Sequence, residues 1–118
     1  MARGSPAAAW GQAIRFGDAA QILQLARNDG FRSNLGLVNL GDGEITVHVD
    51  LLATDGSSFG EVTQTLAGGE HLQLNQVLPA AADAARARVW TSTPGGAFLA
   101  YGSVVDNQTD DPTYVSAS

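Results

Sequence analysis

The sequence predicts an all-β domain built as a sandwich of two sheets, and three observations carry that expectation. Turn signals recur at short intervals from residue 28 on: Asn28-Asp29-Gly30, Gly41-Asp42-Gly43, Thr54-Asp55-Gly56, Gly68-Gly69, Pro94-Gly95-Gly96 and Asp110-Asp111-Pro112. Stretches between them alternate apolar and polar residues, the period of a strand with one buried face. Hydrophobic residues make up 44% of the 118 and charged ones 15%, a composition that folds and does not stay disordered. A chain of this length removes roughly two thirds of its surface from water on folding, so one core suffices.

Each strand follows from its own pattern. Ala20 to Arg27 carries Ile22, Leu23 and Leu25 almost continuously, and Ser33 to Leu40 is the next apolar run. In Glu44 to Ala53, Ile45, Val47, Val49 and Leu51 share one face, with Thr46, His48 and Asp50 opposite and Leu52 joining the polar side. Ser58 to Leu66 follows the Asp55-Gly56 turn, which is expected to close a hairpin. Glu70 to Val77 sets Leu72 and Leu74 against His71, Gln73 and Asn75. Arg86 to Ser92 carries Trp90, grouped with Arg88 and opposite Val89 and Thr91. Ala97 to Asp106 is apolar on both faces, Phe98, Ala100, Gly102 and Val104 against Leu99, Tyr101, Ser103 and Val105. Such a strand is central, or covered by a partner. Seven strands of this kind suit an immunoglobulin- or fibronectin-like β-sandwich. Pro79 to Ala85 breaks the pattern; its alanines and leading proline predict one short helical turn across the end of the sandwich.

The expected organisation is a linker or docking arm over 1–18 and a β-sandwich domain over 19–118. Met1 to Trp10 has no apolar run after Arg3 and does not read as an intact signal peptide. With the resemblance described below, the expected location is extracellular or cell-surface, a leader having been trimmed and Met1 belonging to the expressed form.

Charge narrows the partners. Twelve acidic residues face six basic ones, a net charge of −6, and every basic residue is arginine. Scattered arginines make no phosphate-neutralising stripe, so nucleic acid is not an expected partner. No apolar run is long enough to span a bilayer as a helix. Cysteine is absent, which excludes disulfides and thiolate metal sites.

Candidate chemistry is sparse. His48 and His71 are the only histidines, each on the polar side of its strand, and no third metal ligand stands at a recognisable spacing. No Gly-x-Ser-x-Gly elbow occurs, and a phosphate-binding Gly-x-x-x-x-Gly-Lys loop cannot form without lysine. The loop Asp106 to Asp111 is oxygen-rich and suits Ca²⁺ in ligand type, but capping of its own turn accounts for every residue in it. Trp90 and Tyr101 are the candidate binding residues: exposed together they would form a flat sugar-stacking platform, buried they are core.

Two stretches resemble a family of secreted bacterial immunoglobulin-like β-sandwich accessory domains. Phe31-Arg32-Ser33-Asn34-Leu35-Gly36-Leu37-Val38-Asn39 is similar to their opening strand. Tyr101-Gly102-Ser103-Val104-Val105-Asp106-Asn107-Gln108-Thr109-Asp110-Asp111-Pro112-Thr113 is similar to their closing strand and the loop after it. The resemblance spans about Ala19 to Val115 and implies an accessory module of larger extracellular proteins, with no catalytic residue to carry over. The expected function is therefore a non-catalytic module for adhesion, assembly or self-association, without a cofactor. Its partner is a protein or a second copy, as a dimer or through the N-terminal arm. The alternative is a carbohydrate-binding module using Trp90 and Tyr101.

Overall fold

From Ile45 to Leu51 every second side chain is buried, and Val47 and Val49 are completely enclosed. This period-two burial organises a computed structural model that describes residues 13–78 and 81–118. Its strands are β1 (Ile14–Arg15), β2 (Ala19–Arg27), β3 (Phe31–Asn39), β4 (Ile45–Leu52), β5 (Ser58–Leu66), β6 (His71–Leu74), β7 (Ala82–Thr91), β8 (Ala97–Asp106) and β9 (Pro112–Ser116). One sheet runs β1-β8-β3-β6, with β9 on β8 beside β1; the other runs β2-β7-β4-β5. Every pairing is antiparallel. Between the sheets lie Ile22, Leu25, Leu35, Leu37, Leu66, Val89 and Phe98, all completely buried, while Leu72, Leu74 and Val104 pack half-buried at the margin.

The sandwich is the one the alternation predicts, but the chain threads it in its own way. Within the sheets β3 pairs with β6, and β4 pairs with β7 and β5. Strand β2 lies on β7, and β8 lies on β3. In consequence only β4–β5 and β8–β9 are hairpins among the described strands, and the other glycine-bearing turns are arches between sheets. The Asn28-Asp29-Gly30 arch is held by Asn28 Oδ1, which accepts from the Gly30 and Phe31 N–H groups at 2.8 and 3.0 Å. Asn39, 1% exposed, ties two arches together: its Nδ2 donates to the carbonyls of Gly43, Leu66 and Ala67, and its Oδ1 accepts from Gly41 N–H.

Two expectations are corrected. The helical turn over Pro79 to Ala85 is absent where the chain is described: β7 begins at Ala82, and Ala82 and Ala85 pair with Arg27 and Leu25. Residues 79 and 80 lie outside the described part. Alanine's helix preference amounts to tenths of a kcal/mol per residue, and ladder bonds to β2 with burial of Ala85 and Ala87 override it. The domain also starts earlier than residue 19. Ile14 pairs with Phe98 and is 4% exposed in the core, so only residues 1–12 of the expected arm remain, outside the described residues. After the Asp110-Asp111 turn, Pro112 opens β9 at the sheet edge, where a missing N–H costs no ladder bond.

Strand β2 bulges between Ile22 and Leu25, with Gln24 at φ 64°. Ala26 has no ladder partner there, and Ser33 crosses from the other sheet to serve it. The Ser33 hydroxyl accepts from Ala26 N–H at 2.8 Å and donates to Ala26 C=O at 2.7 Å. Nearby, Gly102 faces β2 so closely that a Cβ on it would stand 2.7 Å from Ile22 Cγ2. Replacing Ser33 by Ala strands two buried backbone groups and is expected to cost about 1–3 kcal/mol. Gly102→Ala overpacks the gap between sheets and is expected to cost a similar ~1–3 kcal/mol. Leu23→Ala, on the exposed side of the same bulge, should stay within about 0.5 kcal/mol. Urea midpoints measure all three; equal midpoints would refute this account of the β2 bulge.

Candidate functional site

The two sheets present outer faces of different chemistry. On the β2-β7-β4-β5 sheet, register sets Trp90 of β7 between His48 of β4 and Ala19 of β2. The His48 and Trp90 rings stack with centroids 5.2 Å apart and planes 15° from parallel. Arg88, two residues before Trp90 and thus on the same face, sets its guanidinium carbon 4.8 Å from the indole centroid, within range of a cation–π attraction. Beside them lies an open depression of about 430 Å³ lined by Trp90, Arg88, Ser92, Ala19 and the turn Phe16–Asp18. Phe16 and Leu23 are 49% and 46% exposed.

His48 also joins a polar relay. Its Nδ1 lies 3.0 Å from Glu61 Oε2 and its Nε2 lies 2.8 Å from Ser92 Oγ. With Glu61 ionised, Nδ1 carries the hydrogen and Nε2 accepts from the serine hydroxyl. That is the bonding order of a serine hydrolase, but catalysis also needs N–H donors aimed at a developing oxyanion. Here the Ser92 N–H is spent on Thr46 C=O at 3.3 Å, and the Thr93 N–H on Thr91 Oγ1 at 3.2 Å. The relay orders the face around Trp90, to which His48 is stacked. Glu61 and Ser92 stand far from His48 in sequence, and only strand register brings them together, so no spacing motif announces them.

On the β1-β8-β3-β6 sheet, Tyr101 of β8 pairs with Gly36 of β3 and its ring occupies the space a side chain at Gly36 would take. This outward-facing tyrosine is therefore only 7% exposed. Its hydroxyl lies 3.1 Å from His71 Nε2. Tyr114 of β9, 50% exposed, sets its ring 6.0 Å from that of Tyr101 at 55°. Between them opens a groove of about 220 Å³ that also reaches Asn34, Gln73 and Ser103. Burial pushes the Tyr101 phenol pKa up, and the neighbouring Tyr114 adds to the shift.

The structure thus separates the two residues singled out from the sequence. Trp90 and Tyr101 lie on opposite sheets, facing away from each other, and form no shared platform. Trp90 is half-buried on an outer face and not in the core. His48 and His71 are divided in the same way. Among the described residues no group of three or more His, Asp, Glu or Cys side chains stands close enough to hold a metal ion. In the loop after β8, Asp106 Oδ1 accepts from the N–H groups of Gln108 and Thr109. Asn107 Oδ1 and Asp110 Oδ1 both accept from Arg32. These oxygens serve the turn and its anchoring to β3.

No protein-family model matches the chain, and no curated protein does. Its fold is similar to that in the crystal structure of Thermotoga maritima 1070, with a TM-score of 0.61 and 12% identity over 84% of this chain and 90% of that one. The likeness is one of fold.

A raised phenol pKa gives a pH signature. The stability that Tyr101 contributes as a neutral phenol is whole below about pH 10, the unfolded value. It is lost as pH rises through the higher folded value, because the unfolded chain releases its proton first. Ultraviolet titration of tyrosinate should show one phenol ionising late, and Tyr101→Phe should remove that late step. Two phenols ionising together at the ordinary value would contradict the burial described.

Proposed function

We propose that this protein is a non-catalytic interaction and assembly module that associates with a second copy of itself through the outer face of the β2-β7-β4-β5 sheet. The observation that carries the reading is the Trp90 cluster: a tryptophan braced by His48 and Arg88, with Phe16 and Leu23 exposed on the same face. Tryptophan and arginine are the residues most enriched where binding energy concentrates, and bracing lowers the entropy lost on association.

Charge and size support a homotypic partner. A two-fold interface needs a patch complementary to itself, and this face carries Arg88 in register with Asp50, which in turn opposes Glu61, with Arg86 one pair further along beside Leu52. The body measures 40 × 34 × 20 Å, so its broad faces exceed the ~800 Å² per partner that a standard interface buries. The net charge of −6 limits non-specific association without opposing a locally balanced contact. As an accessory domain of a larger secreted bacterial protein, at the cell surface or beyond it, such a module would join copies of its parent. The immunoglobulin-like description belongs to this proposal as the comparison that the central strand pairings support.

Size-exclusion chromatography with light scattering tests the proposal. The expected mass in the micromolar range is twice the 12.2 kDa of the chain. Trp90→Ala is expected to weaken the dimer at least about tenfold, as loss of a central anchor does. A wild-type monomer throughout that range, or a dimer indifferent to Trp90, would sink it.

A further inference from the structure

The groove on the opposite sheet is built differently, and its floor holds an unmet polar group. Ser103 is 8% exposed although it sits on the outward side of β8, enclosed between Asn34 of β3 and Tyr114 of β9 in the register. Among the described residues nothing hydrogen-bonds its hydroxyl, which lines the groove. A buried hydroxyl without a partner is costly, and native structures keep one where a ligand or water completes it.

The other polar atoms around it have defined vacancies. Asn34 Oδ1 accepts from Gln76 N–H, leaving the amide NH₂ as a donor. Gln73 Nε2 donates to Asn75 Oδ1, leaving its carbonyl as an acceptor. Ser103 can do both. Arg32, the cation lining the groove, is committed to Asn107 and to the Asp110 carboxylate beside it, so no uncommitted cation faces the ligand. The wall is aromatic, with Tyr114 exposed and Tyr101 laid flat in the place that Gly36 vacates.

We propose that this groove binds a neutral saccharide unit, its hydroxyls meeting Ser103, Asn34 and Gln73 and its C–H face lying on Tyr114. Sugar hydroxyls donate and accept at once, which matches a floor offering one donor, one acceptor and one group that is both. An anionic ligand would find no uncommitted cation, and an apolar one would leave Ser103 unmet. The volume of about 220 Å³ lies below the ~300 Å³ at which pockets for larger organic ligands begin, so it suits a single ring, terminal or internal to a longer glycan. This site is independent of the Trp90 face, and either proposal can fail alone.

Titration of ¹⁵N-labelled protein with methyl glycosides of glucose, galactose, mannose, xylose and N-acetylglucosamine, followed by amide chemical shifts, tests it. At least one is expected to give saturable shifts at Gly36, Gln73, Gly102 and Tyr114 while the Trp90 indole signal stays still. Tyr114→Ala, exposed enough to leave the fold intact, should weaken that binding about tenfold, the scale of one aromatic contact. Ser103→Ala should weaken it about fivefold, the scale of one hydrogen bond, and a thermal melt confirms that both variants remain folded. Absence of saturable shifts with every glycoside, as when water alone fills the groove, would overturn the proposal. So would shifts centred on Trp90, or tighter binding of galacturonate than of its neutral counterpart.

Discussion

The close approach of β2 to β8 at Gly102 is the contact on which the rest of the arrangement depends. Ile22 and Leu25 of one sheet descend onto a backbone with no side chain, and the sheets come together there as near as two main chains with one layer of branched residues permit. That approach joins β2, which lies on β7, to β8, which lies on β3. It also puts the β2 bulge within reach of Ser33, whose hydroxyl takes up both free groups of Ala26. A bulge in that position would otherwise bury unpaired backbone.

Neighbouring positions on the same sheet solve the opposite problem. Gly36, beside Leu35 in β3, points outward and leaves room for the Tyr101 ring to lie against the sheet. One glycine thus lets the core close, and the other lets an outward aromatic bury itself without a covering layer. The two-faced hydrophobicity of β8 follows from this. Tyr101, Ser103 and Val105 are enclosed by Tyr114, His71 and the β9 hairpin, so the second apolar face of that strand is covered within the chain.

The two sheets present broad outer faces with unlike chemistry. One is braced by charge and stacking around Trp90, the other is a neutral polar groove roofed by tyrosines. The proposed assembly contact and the proposed ligand groove lie on opposite sides of a body 20 Å thick and would not compete for space. A dimer formed through the Trp90 face would carry two grooves pointing away from each other, and linked sites of that kind raise avidity for a repetitive ligand.

Much of the fold was legible in the chain. Period-two burial placed Ile45, Val47, Val49 and Leu51 in the core, paired His48 and Asp50 outside, and grouped Arg88 with Trp90. Those readings succeed because a strand's geometry decides which way each side chain points before any partner strand is known. Pairing is another matter. Whether Pro94-Gly95-Gly96 turns a hairpin or arches to the other sheet depends on which surface the next strand finds, and glycine permits both. The candidate sites failed to show for the same reason. Glu61, His48 and Ser92 meet only through the registers of three strands, and Tyr101 and Trp90 part company only because β7 and β8 lie in different sheets. Local alternation set the faces of each strand; tertiary pairing alone chose the neighbours, since hydrogen-bonded ladders are equally available to any edge until the core closes.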